Sequence, residues 1–319
     1  MTILEQLQKK LNNQVVADQP MARHTTFKIG GPAKYFFDAK TKQEIIAAVQ
    51  VAQELQITYL MVSLGSNILV ADQGFPGLVI KTSPRVTKVE GDLLYAEAGL
   101  SLAQLVQVAH KHDLVGMEFA ATIPGGVGGS VRGNAGAYGH NVGEFVHSVE
   151  CFEHGTVQTL SRQECAFAYR ESRFKKIGGV VLAANFALRP GNVAQARQEI
   201  IGLMRSRQEH QPLEFSSIGC IFKNVEINPT HPPLMIRGGE GGVNTPPEFL
   251  AKGIIPAAWI IDQVLGLKGR RVGQAQVSEK HANFIINLGW AKAKDVMILI
   301  SMIKEQAREK MGVELQTEI

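Results

Sequence analysis

The sequence predicts a mixed α+β protein of more than one domain, and three observations carry this. Apolar residues recur at helical spacing near both ends, at Ile3, Leu4, Leu7 and Leu11 and again at Val296, Ile300 and Ile303. Between them lie short apolar runs, Tyr59–Leu64, Ile68–Ala71 and Leu78–Lys81, separated by Gly, Asn and Pro, which read as buried strands. A chain of 319 residues with 45 % apolar and 19 % charged side chains is long enough for two or three domains and a sizeable core.

Taken in order, Thr41-Lys-Gln-Glu44 has the form of a capping box that opens a helix through Leu55. Val86–Glu97 reads as a hairpin around Gly91-Asp92, and Ser101 can cap a helix bearing Leu102, Leu105, Val106 and Ala109. Strand-like runs resume at Val146–Phe152 and Val180–Leu188. A helix from about Val193 to Glu209 is expected to turn Ile200, Ile201 and Met204 inward. A domain boundary falls near 190–212. Val225–Ala257 holds six of the thirteen prolines and five glycines, a composition that predicts a surface loop or partly disordered insertion rather than packed structure. Helical spacing returns at Ala258–Leu265, a strand at Asn283–Leu288 and a helix at Lys294–Lys310. No internal repeat is present.

Composition narrows the function classes. Cys151, Cys165 and Cys220 are odd in number and form no Cys-x-x-Cys pair, which argues against a disulfide framework or a cysteine zinc site. His24, His210 and His281 fall in no metal-ligand spacing, so no metal is expected. A net charge of +4 without a Lys/Arg block gives little support to nucleic-acid binding. Glu5, Lys9 and Lys10 interrupt any signal-peptide stretch, and no segment approaches the roughly 18 apolar residues of a membrane span. The expected location is the cytoplasm, with no membrane partner and no obligate protein partner.

The most informative segment is Ile123-Pro-Gly-Gly-Val-Gly-Gly-Ser-Val-Arg-Gly-Asn-Ala-Gly-Ala-Tyr-Gly139. Gly125–Gly143 holds eight of the 32 glycines. Such density lets backbone N–H groups approach an anion, a pyrophosphate being the natural ligand, because no Cβ blocks the way. A glycine-rich turn packed against a sheet explains the same residues. The run fits neither G-x-G-x-x-G nor a phosphate loop ending in Lys-Ser/Thr, so the Rossmann and nucleotide-hydrolase readings lose support. Leu64-Gly-Ser-Asn-Ile68 and His24-Thr-Thr-Phe-Lys-Ile-Gly-Gly-Pro-Ala33 supply two more small-residue turns.

Those three segments, with Tyr169-Arg-Glu-Ser-Arg-Phe174, Gly219-Cys-Ile-Phe-Lys-Asn224 and Ser278-Glu-Lys-His-Ala-Asn-Phe284, run in the order found in the UDP-N-acetylenolpyruvoylglucosamine reductase family. The chain resembles the shorter second type of that family from about residue 20 to its end. The resemblance implies a vanillyl-alcohol-oxidase-like, two-part FAD-binding fold over 1–80 and 81–205, and a C-terminal α+β substrate-binding domain over 206–319 with the Pro/Gly-rich insertion at about 225–257. It implies FAD held noncovalently by Thr26, by Leu64, Gly65, Ser66, Asn67 and Ile68, by Ile123, Pro124, Gly125, Gly126, Gly128 and Gly129, and by Asn134, Gly136 and Ala137. NADPH is the implied hydride donor, and enolpyruvyl-UDP-N-acetylglucosamine the implied nucleotide-sugar substrate.

The implied chemistry needs a group to stabilise charge on the α-carbon and carboxylate and another to protonate the α-carbon. Arg170 matches the family's charge-stabilising arginine, and Glu318 its late glutamate. Cys220 stands where many members carry the proton-donating serine; a thiol near pKa 8.5 is a stronger acid than a hydroxyl and keeps a donor there. Ser217 is the rival donor. Cys151 and Cys165 read as core residues. Tyr169 and Gln263 match substrate-contacting positions, and Lys223 and Asn224 match contacts to the nucleotide diphosphate. Two other readings stay open: an oxidase of the same fold with covalently attached FAD, and a non-catalytic nucleotide-sugar binding relative.

Overall fold

The structure is a computed structural model describing residues 1–227 and 245–319. The chain divides into two compact units. The first comprises Met1–Pro20, Pro32–Gly65 and Gly74–Arg207; the second comprises Met21–Gly31, Ser66–Gln73 and Gln208–Ile319. The C-terminal unit therefore also recruits 21–31 and 66–73, two segments that the sequence places within 1–80.

The first unit opens with α1 (Ile3–Lys10), started by a Thr2–Glu5 capping box and burying Leu7. A four-stranded sheet of β1 (Val16–Pro20), β2 (Pro32–Ala39), β3 (Tyr59–Val62) and β4 (Phe75–Thr82) has the order β1-β2-β4-β3. The β2–β4 and β3–β4 pairs are parallel. Parallel neighbours need a crossover, and α2 (Lys42–Glu54) provides it between β2 and β3. Thr41 Oγ1 accepts the Glu44 N–H, while Glu44 reaches back to the Lys40 N–H. Ile45, Ala48, Val49 and Ala52 of α2 pack with Leu78 and Ile80 of β4 in one core.

The predicted hairpin is β5 (Thr87–Glu90) and β6 (Leu93–Glu97), paired through Glu90 and Leu93. It joins strands Val146–Glu153, Thr156–Ser161 and Val180–Ala187 in a five-stranded antiparallel sheet. Val180–Ala187 serves two cores from its two faces: Val180 and Leu182 on one side, Val181, Ala184 and Phe186 on the other. That is why its sequence is a continuous apolar run rather than an alternation. The second core includes α3 (Leu102–Lys111), capped by Ser101, and α4 (Val127–Gly133). The helix Val193–His210 turns Ala196, Ile200 and Leu203 inward. Ile201 and Met204, expected to be buried, are 42 % and 50 % exposed; the packed stripe follows the 196-200-203 spacing, one residue off the predicted face.

In the second unit, strands Arg271–Val272, Ala275–Val277 and Ile285–Asn287 form an antiparallel sheet against the helix Ala293–Met311, which buries Val296, Ile300 and Ile303. Phe27, Ile29 and Leu69 pack into this core. Ile68–Ala71, predicted as a strand, is irregular; Leu69 packs on this core, Val70 is buried and Ala71 is exposed. Ala258–Leu265 begins as the helical turn Ala257–Trp259 and widens into the π-turn Ile260–Val264.

The 225–257 region differs from the predicted loop where it is described; residues 228–244 lie outside the described residues. Val225–Glu226 pairs antiparallel with Ile254–Ile255, and Pro247–Lys252 is a short helix with proline in its first turn. Phe249 packs on the core, edge-on to Trp259 at 5.6 Å. The prolines sit at the helix start rather than in its interior, so they do not prevent it.

Candidate functional site

In the first unit the glycine-rich run enters α4 at Gly126, and its glycines serve two purposes. A Cβ on Gly126 would lie 2.1 Å from Ser63 Oγ, and one on Gly128 would lie 2.8 Å from Ala98 Cβ. Both positions are closed to side chains. The N–H groups of Val127 and Gly128 donate to Leu100 O (2.8 Å) and Ala98 O (2.9 Å), docking the turn on the chain after β6. Gly125 O likewise accepts from Leu102 N–H. Gly129, by contrast, faces open space where a Cβ would project. The packed-turn reading accounts for Gly126 and Gly128, and room for a ligand lies on the Gly129 side. Pro124 is exposed and Ile123 packs partly into the core.

Asn134 ends α4 in the left-handed region at φ 44°. Its Oδ1 accepts the Gly143 N–H and its Nδ2 donates to Ala168 O, both at 2.8 Å. The amide thus ties the 134–137 turn to the loop carrying Tyr169 and Arg170. Arg170 Nη2 donates to Gly136 O at 2.8 Å, and its guanidinium carbon lies 5.4 Å from the Tyr169 ring centroid. A Cβ on Gly136 would lie 2.5 Å from His140 O and 3.0 Å from Arg170 Nη1, so the position is closed first by the neighbouring backbone and then by the guanidinium. Arg170 is part-buried, not a surface arginine, and sits at φ 54°, a region costly for a non-glycine residue. Lys175 Nζ donates to its carbonyl at 3.1 Å. Ala137 pairs with His140 in a short ladder beside this turn.

The predicted cofactor turn at 64–68 begins in the first unit with exposed Leu64 and with Gly65 at φ 64°. Ser66, Asn67 and Ile68 belong to the second unit, where 66–73, 216–224 and 315–319 come together. Phe222 and Thr317 form an antiparallel bridge; Lys223 N–H donates to Gln316 O (2.9 Å) and Glu318 N–H to Ile221 O (2.8 Å). Asn67 Nδ2 donates to Glu318 O at 3.1 Å. On its other side Cys220 bridges Phe284, so Cys220 and Glu318 lie on neighbouring strands of one small ladder, both part-buried. Thr26 Oγ1 donates to Ser217 O at 2.7 Å, and Asn224 Oδ1 accepts the Ala257 N–H at 3.1 Å.

A cleft of about 470 Å³ in the second unit is lined by exposed Gln263 with Trp259, Lys268, Lys280 and His281 among others. Burial, opposed by a backbone hydrogen bond and reinforced by Lys268 and His210, holds the His281 imidazole below its ordinary pKa. His281 Nδ1 is buried without a hydrogen-bond partner among the described residues. No group of three or more His, Cys, Asp or Glu among the described residues is arranged to hold a metal.

Two supports, buried Asn283 and exposed Asp72, carried no role in the sequence reading. Asn283 donates to Phe222 O (2.8 Å) and accepts its N–H (3.0 Å), fixing the strand that bears Cys220. Asp72 accepts the Ala293 and Lys294 N–H groups and caps the C-terminal helix. Asn283 stands inside the Ser278–Phe284 motif, which was the available signal; Asp72 had none, because its partners are 221 and 222 positions away.

Cys151 and Cys165 are buried in the core of the first unit. Burial, then Glu153, pushes the Cys151 thiol up to about 11, and burial, then Cys151, pushes Cys165 up to about 12.

Residues 33–161 match the FAD binding domain family, and residues 211–319 match the C-terminal domain of UDP-N-acetylenolpyruvoylglucosamine reductase. The UDP-N-acetylenolpyruvoylglucosamine reductase of Carboxydothermus hydrogenoformans is 37 % identical over 319 residues, covering 99 % of this chain and 96 % of its own. The chain belongs to the UDP-N-acetylenolpyruvoylglucosamine reductase family. The Caldanaerobacter subterraneus reductase is 38 % identical, with 95 % of this chain and 91 % of its own covered. The crystal structure of the Thermus caldophilus reductase matches with a TM-score of 0.73 at 30 % identity, covering 95 % of this chain and 96 % of that one. As a member of this reductase family the chain is an FAD-dependent oxidoreductase with an α+β FAD-binding fold. Its residues fit the cofactor: open space beside Gly129 and a buried Ser63 hydroxyl with no hydrogen-bond partner among the described residues lie in the matched region. No helix among the described residues is long and apolar enough to cross a membrane.

Proposed function

We propose that this chain, with NADPH as hydride donor, reduces enolpyruvyl-UDP-N-acetylglucosamine to UDP-N-acetylmuramate for peptidoglycan precursors, in the cytoplasm. The observation that carries the residue assignment is the ladder setting Cys220 and Glu318 on adjacent strands, pinned by Glu318 N–H to Ile221 O. Held noncovalently and reduced by NADPH, the flavin would supply hydride to the β-carbon of the enol ether. Addition there leaves negative charge over the α-carbon and carboxylate. Arg170, its guanidinium oriented by Gly136 O and Tyr169, offsets that charge with a fixed cation. Cys220 delivers a proton to the α-carbon, and Glu318 donates a hydrogen bond to the developing enolate. Lys223 and Asn224 contact the nucleotide diphosphate, while Tyr169 and Gln263 contact the rest of the nucleotide sugar. Gly125, Gly126, Gly128 and Gly129 receive the FAD, with Leu64–Ile68 and Thr26.

Stopped-flow absorbance tests this reading. NADPH should bleach the bound flavin, and addition of the enolpyruvyl nucleotide sugar should restore it under anaerobic conditions. Bleaching without recovery sinks the substrate assignment. Flavin that stays in the precipitate on acid treatment would favour a covalently flavinylated oxidase instead.

A further inference from the structure

Tyr169 and Arg170 are the central residues of a tight turn. Ala168 N–H donates to Glu171 O at 3.0 Å, and Glu171 N–H donates back to Ala168 O at 3.1 Å. Glycine or asparagine usually fills the second central position of a turn when φ is positive there, yet here it is Arg170, at φ 54°. A residue held that way persists only where its surroundings over-determine it. Asn134 Nδ2 donates to Ala168 O at 2.8 Å, and Ser172, fully buried, donates from Oγ to Arg132 O at 2.6 Å. These two fix the flanks of the turn. Lys175 acts on the strained residue itself, its Nζ donating to Arg170 O at 3.1 Å. The lysine projects from the helical turn Arg173–Lys176, which is anchored by buried Phe174, by Arg173 N–H on Cys165 O (2.9 Å) and by Arg173 Nη2 on Glu153 Oε2 (2.8 Å). A cation on a fixed base thus grips the carbonyl of the residue whose guanidinium meets Gly136 O at its other end.

We propose that Lys175 is a positioning residue for the reduction: by holding the Arg170 carbonyl it keeps the turn left-handed at Arg170 and the guanidinium on Gly136 O. Without that grip the turn relaxes toward ordinary backbone angles and carries the guanidinium off its carbonyl. The role rests on the reading of Arg170 given above, and Lys175 acts through Arg170 rather than on the substrate.

The test is anaerobic stopped-flow absorbance on the flavin-loaded full chain, with flavin content and melting temperature measured in parallel. Lys175→Met, which keeps a similar length and removes the donor, should slow flavin reoxidation at saturating enolpyruvyl nucleotide sugar by about 10- to 100-fold, the cost of a misplaced group. Half-saturation by that substrate, NADPH-driven bleaching, flavin content and melting temperature should stay near the parent values. Lys175→Arg, which keeps a charged donor of similar reach, should recover most of the rate. A merely structural lysine would slow both half-reactions and lower the melting temperature, and that result overturns the proposal. So does a raised half-saturation with an unchanged limiting rate, the mark of a lysine that binds substrate directly. Coupling provides a second check: in Arg170→Ala, which has no guanidinium to position, adding Lys175→Met should slow reoxidation no further. A further loss as large as that in the parent also overturns it. A Lys175→Met protein that reoxidises like the parent, beside a slow Arg170→Ala, removes this proposal only. An Arg170→Ala protein that reoxidises like the parent removes the role of Arg170 together with this proposal.

Discussion

The side-chain amide of Asn67 donates to the main-chain carbonyl of Glu318 at 3.1 Å, joining residues 251 positions apart. With Glu318 N–H on Ile221 O, both main-chain polar groups of this residue are engaged, and Leu315 beside it is 2 % exposed. A terminal strand held this way keeps its side chain in a defined place. Glu318→Gln should therefore leave FAD content and NADPH-driven bleaching at the parent level and slow substrate-driven reoxidation about 10²-fold or more. Equal slowing of both half-reactions would contradict the assigned role.

Arg170→Lys keeps the charge but not the planar fork that binds Gly136 O and stacks on Tyr169. The expected outcome is normal flavin content and reduction with a slower substrate half-reaction. If bleaching by NADPH suffers as much as recovery, Arg170 serves the cofactor instead.

Cys220→Ser should retain substantial activity, because a donor stays at the same point of the ladder. Cys220→Ala should be reduced by NADPH normally while reoxidation falls by roughly 10²- to 10⁴-fold. In deuterated water its product should gain label at the α-carbon more slowly, at an unchanged position. A normal Cys220→Ala beside a crippled Ser217→Ala would transfer the role to Ser217.

Thiol titration separates the three cysteines. At pH 8 a chromogenic disulfide should label Cys220 in the native protein and all three after denaturation, since Cys151 and Cys165 are buried and their thiols are pushed up to about 11 and about 12. Rapid native labelling of either would refute their core assignment. Their folded pKa values exceed the ordinary 9.0. Their contribution to stability is thus intact below pH 9 and is lost as pH climbs toward 11 and 12. Denaturant midpoints should fall across that window, less so in Cys165→Ala, when each protein is compared with its own value at pH 8.

Phe249→Ala tests whether the Pro247–Lys252 helix belongs to the core. Loss of its contact with Trp259 should cost about 1–3 kcal/mol in urea unfolding, given its partial burial. A change within error would return the helix to the status of an appendage.

Much of the architecture was legible because its signals are local. Thr41, Ser101 and Gly91 mark helix starts and a hairpin turn whose geometry depends on a few neighbouring residues, and the structure places all three as read. Where packing decides, local reading slipped. Ile201 and Met204 are apolar yet face outward, since the neighbouring 196-200-203 stripe is the one that meets the core. The apolar run 68–71 predicts a strand, yet it forms no ladder: Leu69 packs on the second unit's core and Ala71 is exposed. In the site, the glycine run was visible, but not which of its glycines exclude side chains and which leave room.

The sequence by itself determined the reductase family, the cofactor class and the candidate reactive residues, because these reside in residue identity and motif order. Only the tertiary structure decided that Asn134 spends its amide joining two loops, that Arg170 is held by Gly136 O, and that Glu318 is clamped by Ile221 and Asn67. These are contacts over 9 to 251 positions. Their formation depends on which hydrogen-bonding groups burial leaves opposite one another, and that follows from the packing of the whole unit rather than from any window of sequence.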